Sequence, residues 1–197
     1  MSYDPKEYFE AIFQLRNPRD EILKFIDNEL REQKVLVACR RDCSQGMDFY
    51  LSSQHSAQNI GKKLQQKFGG ELKITKRLFS RSRITSREIY RVTVYYRPFD
   101  FISGDVVKID RKIIRIKNIG KSNISGIDIM SDKKTSLPVK NKKVEILEVK
   151  KAVVSKTYPH LEVIHPETYQ PVAVKNPKKT GKKEIDVVIS GHEIFVI

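Results

Sequence analysis

Helix-period patterning occurs twice in this chain, and both instances fall within its first 68 residues. Beyond Pro98-Phe99-Asp100, every apolar pattern has the period of two that belongs to strands. This excludes a helical bundle and points to an α+β fold, with the helices confined to an N-terminal layer. At 197 residues the chain is long enough for one large domain or two to three small ones.

In the N-terminal part, Phe9, Ala11, Phe13 and Leu15 share one face of a strand over 7–16. Asn17-Pro18-Arg19-Asp20 reads as a helix start, with Asn17 as the cap and Pro18 at the first helical position. Ile22, Phe25, Ile26 and Leu30 keep core spacing to about Gln33. Val35 to Ala38 reads as a short buried strand, Ser44-Gln45-Gly46 as a turn and Met47 to Leu51 as the return strand. Ser52 or Ser53 caps a second helix with Ala57, Ile60, Leu64 and Phe68 on its stripe, and Gly69-Gly70 ends it. Two strands follow over 71–80 and 88–97, joined by the basic loop Arg81-Ser82-Arg83-Ile84-Thr85-Ser86-Arg87. In the second strand Tyr90, Val92, Val94 and Tyr96 alternate with Arg91, Thr93, Tyr95 and Arg97, so one face buries and the other shows arginine and tyrosine. The order β-α-β-β-α-β-β describes an α/β sandwich over 1–98, with helices on one side of a mostly antiparallel sheet.

Five short strands follow over 104–109, 112–117, 126–130, 135–139 and 144–147, with a loop at Asn118 to Ser122, as in a small SH3-like barrel over 99–148. Strands at Lys151 to Ser155, Leu161 to Ile164, Pro171 to Val174, Ile185 to Ile189 and Glu193 to Val196 make another small β module over 149–197. Its strands could pair with those before it, so the boundary at 148/149 is soft.

The net charge of +14 is segregated along the chain. Residues 73–97 hold Lys73, Lys76, Arg77, Arg81, Arg83, Arg87, Arg91 and Arg97 against Glu88 alone. Residues 175–183 hold Lys175, Lys178, Lys179, Lys182 and Lys183 and no acid. A surface built only for solubility intersperses its signs, whereas segregated charge makes a field that attracts polyanions. Arginine interleaved with tyrosine suits phosphates and unstacked bases, with Tyr90, Tyr95 and Tyr96 as stacking candidates.

Other chemistries find little support. Cys39 and Cys43 are the only cysteines, too few for a disulfide framework or a four-ligand zinc site. Cys39 is expected inside a strand end and Cys43 in a turn. His55, His160, His165 and His192 are scattered. Gly120-Lys121-Ser122 copies the tail of a phosphate loop, but Arg115 stands where the upstream glycine would be. Asp105, Asp110, Asp128 and Asp132 are ordinary strand-end and turn acids. No catalytic constellation, cofactor motif, small-molecule site, apolar span or signal peptide is present in the sequence, so a cytoplasmic, monomeric, non-enzymatic protein is expected.

Four blocks carry a family resemblance. These are Tyr8-Phe9-Glu10-Ala11-Ile12-Phe13-Gln14-Leu15-Arg16; Gly46-Met47-Asp48-Phe49-Tyr50-Leu51-Ser52-Ser53 with Ala57; Leu78-Phe79-Ser80 with Tyr95-Tyr96-Arg97-Pro98; and Tyr158 to Ile164 with Pro166 to Gln170. In order and spacing they resemble the large-ribosomal-subunit export adaptor family named after nonsense-mediated decay, over roughly residues 7–175. The resemblance implies a ribosomal-protein-like α/β domain followed by SH3-like and OB-like modules. It implies a factor on the nascent large subunit, beside the tRNA exit region and the mobile rRNA stalk. The family's zinc ribbons before Tyr8 and its C-terminal export tail are missing, as in an archaeal relative, so zinc belongs only to an absent N-terminal segment and export is not carried over. Lys179-Thr180-Gly181-Lys182 is similar in composition to the hypusine loop of a related translation factor but follows a later strand.

The expected function is therefore binding of the large ribosomal subunit, through rRNA and ribosomal proteins, in its biogenesis. The expected RNA contacts are Lys73, Lys76, Arg77, Arg81, Arg83, Arg87, Arg91, Tyr95, Arg97, Lys175, Lys178, Lys179, Lys182 and Lys183. Two other readings stand beside it: a scaffold that docks ribosomal proteins while the charge only steers, and an RNA-processing enzyme.

Overall fold

The computed structural model describes residues 8–81, 88–140, 142–178 and 180–197. The chain divides into two compact units, Met1–Asp100 and Phe101–Ile197. Among the described residues both helices lie in the first, and the fold is α+β.

The first unit runs β1 (Ala11–Arg16), α1 (Asp20–Glu32), β2 (Val37–Cys43), β3 (Gly46–Leu51), α2 (Gln54–Phe68), β4 (Glu71–Arg81) and β5 (Glu88–Arg97). Its sheet has the order β2-β3-β1-β5-β4. The β1–β5 pairing is parallel and the rest are antiparallel. Period-two alternation sends Ala11, Phe13, Leu15, Phe49, Leu51, Val92, Val94 and Tyr96 to one face. There they form a single core with Ile22, Ile26 and Leu30 of α1 and Ala57, Ile60 and Leu64 of α2. Gly61 lets α2 approach closely: a Cβ there would lie 2.9 Å from both Leu72 and Val94.

The two helices are joined by a charged contact. Lys63 of α2 donates to both carboxylate oxygens of Glu29 on α1, at 2.9 and 2.8 Å, and Gln33 donates at 2.8 Å. Burial alone would raise the Glu29 pKa, but the hydrogen bonds from Lys63 and Gln33 outweigh it and hold the carboxyl below its ordinary value.

Several local expectations are corrected. Arg19, not Asn17, is the α1 cap, and it makes no side-chain capping bond. Asn17 has φ of +50° and donates its amide to Asp100 instead. The residue before a proline is pushed out of the right-handed helical region, and asparagine tolerates the left-handed one. The β2 strand begins at Val37 rather than Val35 and lies at the sheet edge, so it is half-buried at its start and exposed from Arg40 on. Cys39 is accordingly half-exposed, and Cys43 ends the strand rather than sitting in a turn. Ser53 is the α2 cap, accepting from the Ser56 N–H at 3.3 Å.

The second unit is all β among its described residues. The strands β6 (Val106–Ile109), β7 (Lys112–Ile119), β8 (Asn123–Asp128), β9 (Lys134–Pro138) and β10 (Val144–Leu147) form a sheet in the order β10-β6-β7-β8-β9. The expected loop at Asn118 to Ser122 shortens, because Asn118 and Ile119 remain in β7 and pair with Ser125 and Ile124. The strands β11 (Val149–Lys156), β12 (Glu162–Ile164), β13 (Pro171–Ala173), β14 (Glu184–Ser190) and β15 (Glu193–Val196) form another, in the order β13-β12-β11-β14-β15. The two sheets share a core of Val106, Ile113, Ile129, Leu147, Val188 and Phe195. Buried Asn176 ties this unit together, donating to the carbonyls of Ile129 and Val196 at 2.9 and 2.8 Å.

Candidate nucleic-acid interface

The helices cover one face of the first sheet. Along each strand the alternate residues point to the other face. These are Ile12, Gln14 and Arg16 of β1, Asp48 and Tyr50 of β3, and Arg91, Thr93 and Tyr95 of β5, all half-buried. Strand register lines up Tyr50, Ile12 and Thr93 in one cross-strand row, and Asp48, Gln14, Tyr95 and Lys73 in another. The result is a face that carries Tyr50 and Tyr95, with Arg16, Lys73 and Arg91 on the same or adjoining rows. Arg16 is held by Asp48 at 2.7 Å. Burial works against its charge, but the Asp48 hydrogen bond together with the attraction of the Asp48 charge outweighs it, so its pKa lies above the ordinary value.

The β4–β5 pair is longer than the sheet that carries it. The β1 strand pairs with β5 only from Val92 to Tyr96, whereas β4 pairs with β5 out to Arg81–Glu88. Residues 77–81 and 88–91 therefore form a two-stranded ribbon extending past β1. Leu78, Phe79, Ile89 and Tyr90 on it are exposed. A bulge between Leu78 and Ser80 leaves Phe79 without a cross-strand partner. Phe79 turns toward Arg91, whose guanidinium carbon lies 3.5 Å from the Phe79 ring centre and 3.9 Å from that of Phe9. The cation is fixed between two rings. Phe9 in turn meets Tyr50 edge-on, with centroids 4.9 Å apart.

The expected contact residues fall into distinct groups. Lys76, Arg77 and Arg97 are exposed and have no carboxylate partner among the described residues. Arg77 lies opposite Arg91, Arg81 opposite Glu88 and Arg97 opposite Glu71. Lys73 pairs with Glu71 at 2.7 Å, which raises its pKa, and its ammonium lies 5.8 Å from the centre of the Tyr95 ring. Tyr90 is exposed rather than buried, and its hydroxyl donates to Glu88, which raises its pKa. Tyr96 is corrected as a stacking candidate. It is 0% exposed, and its hydroxyl donates to the carbonyls of Gly69 and Leu64 at 2.6 and 3.3 Å. Arg83 and Arg87 lie outside the described residues.

In the second unit Lys175 pairs with Glu193 at 3.0 Å and Lys178 with Asp132 at 2.8 Å. Reading 175–183 as a run without acids missed these partners, because both come from distant positions. Lys182 and Lys183 are exposed, and Lys179 lies outside the described residues.

The other sequence candidates resolve locally. Asp110 pairs with Lys142 at 2.6 Å, while Asp105 and Asp128 accept from backbone N–H groups at 2.8 and 2.9 Å. Gly120 closes the β7–β8 turn by donating to the Asn123 carbonyl at 2.8 Å. His165 accepts at Nδ1 from the backbone N–H groups of Glu167 and Thr168, fixing a turn. Among the described residues no cluster of three or more metal-ligating side chains occurs, and no helix is long and apolar enough to cross a membrane.

Sequence reasoning found Arg91 but missed its two rings. The signal would have been a bulge at Phe79, which a local pattern does not reveal.

Residues 8–97, nearly the whole of this first unit, match the family model described as NMD3, second domain. None of the curated proteins compared with the chain matches it. The domain over residues 8–97, which carries this sheet and its projecting ribbon, is thus similar to the second domain of the NMD3 family.

Proposed function

We propose that this protein is a ribosome-associated factor that binds the large ribosomal subunit during its biogenesis or maturation, with the first unit gripping rRNA. The observation that carries the reading is the basic ribbon of β4 and β5, projecting from a domain similar to the second domain of the NMD3 family. Phosphate neutralisation by Lys76, Arg77 and Arg97 supplies affinity, and the aromatic groups beside them supply surfaces for bases. The site lies near the tRNA exit region and the mobile rRNA stalk, as the family resemblance implies. The two sheets of the second unit are read as SH3-like and OB-like modules over 99–148 and 149–197, with Lys182 and Lys183 as outlying phosphate contacts. The protein acts as a monomer in the cytoplasm, without a cofactor and without turnover.

A second reading has its own observation. Leu78, Ile89 and Tyr90 are exposed together on the ribbon, and Lys175 and Lys178 are engaged by acids. A scaffold that docks ribosomal proteins, with charge only steering the encounter, would also expose such groups. Crosslinking of the full chain to large subunits separates the two. Recovery of rRNA at residues 73–97 supports the first, and recovery of proteins with little RNA supports the second.

A further inference from the structure

The stack at Arg91 is unfinished. Phe9 is buried, Arg91 is half-buried against it, and Phe79, 55% exposed, closes the sequence. One face of the Phe79 ring is taken by the guanidinium at 3.5 Å. With more than half of the residue exposed, the ring's opposite face is the one turned to solvent. An exposed phenylalanine is ordinary when its position is loose. Here the bulge between Leu78 and Ser80 and the Arg91 contact fix the ring, so little rotamer freedom remains to be lost on binding. The neighbouring charge is one a nucleic-acid strand needs. Arg77 lies across the ribbon from Arg91, on the same face, and has no carboxylate partner among the described residues.

We infer that the outer face of Phe79 is a stacking site for one unpaired RNA base, continuing the series Phe9, Arg91, Phe79, with Arg77 holding a flanking phosphate. Every base has a π-face, so the site is tolerant of sequence and selects for single-stranded character. Arg91 acts as a positioning residue: it holds the ring in place and has both of its faces covered. This deepens the rRNA reading above and rests on it.

The test uses the full chain and two labelled probes. One is an oligouridylate of about twelve nucleotides, and the other is an abasic backbone of the same length and charge. Phe79→Ala is expected to weaken binding of the oligouridylate about tenfold while leaving the abasic probe and the salt slope unchanged. Phe79→Tyr, which keeps a ring, retains native affinity. Phe79→Leu, which keeps apolar bulk without a π-face and guards against loss of folding, behaves as Phe79→Ala does. Arg77→Ala weakens both probes equally and lowers the salt slope. Equal loss on both probes, or no loss, with Phe79→Ala overturns the stacking site while leaving the rRNA reading standing. Failure of the unaltered chain to bind either probe overturns both.

Discussion

Asn176 gives both ends of its amide to Val196: Nδ2 donates to the Val196 carbonyl at 2.8 Å, and Oδ1 accepts from the Val196 N–H at 2.7 Å. A further bond from Nδ2 reaches the Ile129 carbonyl at 2.9 Å. The side chain thus spans the β8–β9 connection and the last strand of the second unit. Asn176→Ala leaves three buried backbone groups without partners, each costly when unsatisfied. The expected loss is about 2–4 kcal/mol, read by denaturant unfolding of the second unit. A loss below about 0.5 kcal/mol, the range of ordinary surface substitutions, would show that water replaces the amide freely.

Glu29 and Lys63 make the α1–α2 contact pH-dependent. The folded carboxyl titrates below its ordinary value, so its stabilising contribution is fully present above about pH 5 and declines as pH falls through the folded value. Native protein should therefore exceed the Glu29→Gln variant in stability at neutral pH, with the difference shrinking in acid. A difference that stays constant from pH 7 to about pH 3 contradicts the assignment.

Gly61 is required by closeness rather than by backbone conformation. Alanine would improve helix propensity by about 1 kcal/mol. Its Cβ would meet Leu72 and Val94 at 2.9 Å, however, and overpacking of that kind costs about 1–3 kcal/mol. Gly61→Ala should lower the thermal midpoint, and a raised midpoint would show that the sheet yields to the extra methyl.

The two basic stretches should differ in how they respond to neutralisation. Arg77 has no carboxylate partner among the described residues, so Arg77→Ala should remove about one phosphate contact from the salt slope of RNA binding. Lys178 is engaged by Asp132 at 2.8 Å, and Lys178→Ala should change the slope less. Salt titrations of the two variants against the same RNA make the comparison, and equal changes would place both stretches on the RNA.

Where periodicity was long and one-sided, the sequence was sufficient. The alternation of Phe13, Leu15, Val92 and Val94, and the stripe of Ile60 and Leu64, place the core of the first unit correctly because burial there follows directly from spacing. Pairs across space were not legible. Lys175 with Glu193, Lys178 with Asp132 and Arg91 with Phe9 join residues that local patterning cannot relate. Tyr96 shows the limit of reading residue type as role: its position in the strand told correctly that it is buried, while its chemistry suggested a base-stacking group. Asn17 failed because it takes a left-handed conformation and gives its amide to Asp100, a distant residue, so the helix starts after Arg19 instead.

The central claim is that the first unit grips large-subunit RNA through the basic ribbon of β4 and β5. Co-sedimentation of the full chain with purified large ribosomal subunits, at about 50 and about 200 mM salt, tests it most directly. The account predicts binding at the lower salt, steep loss at the higher, and a weaker association for the Lys76→Ala, Arg77→Ala double variant. Absence of binding in the dilute buffer, or binding indifferent to both salt and the double variant, would contradict it.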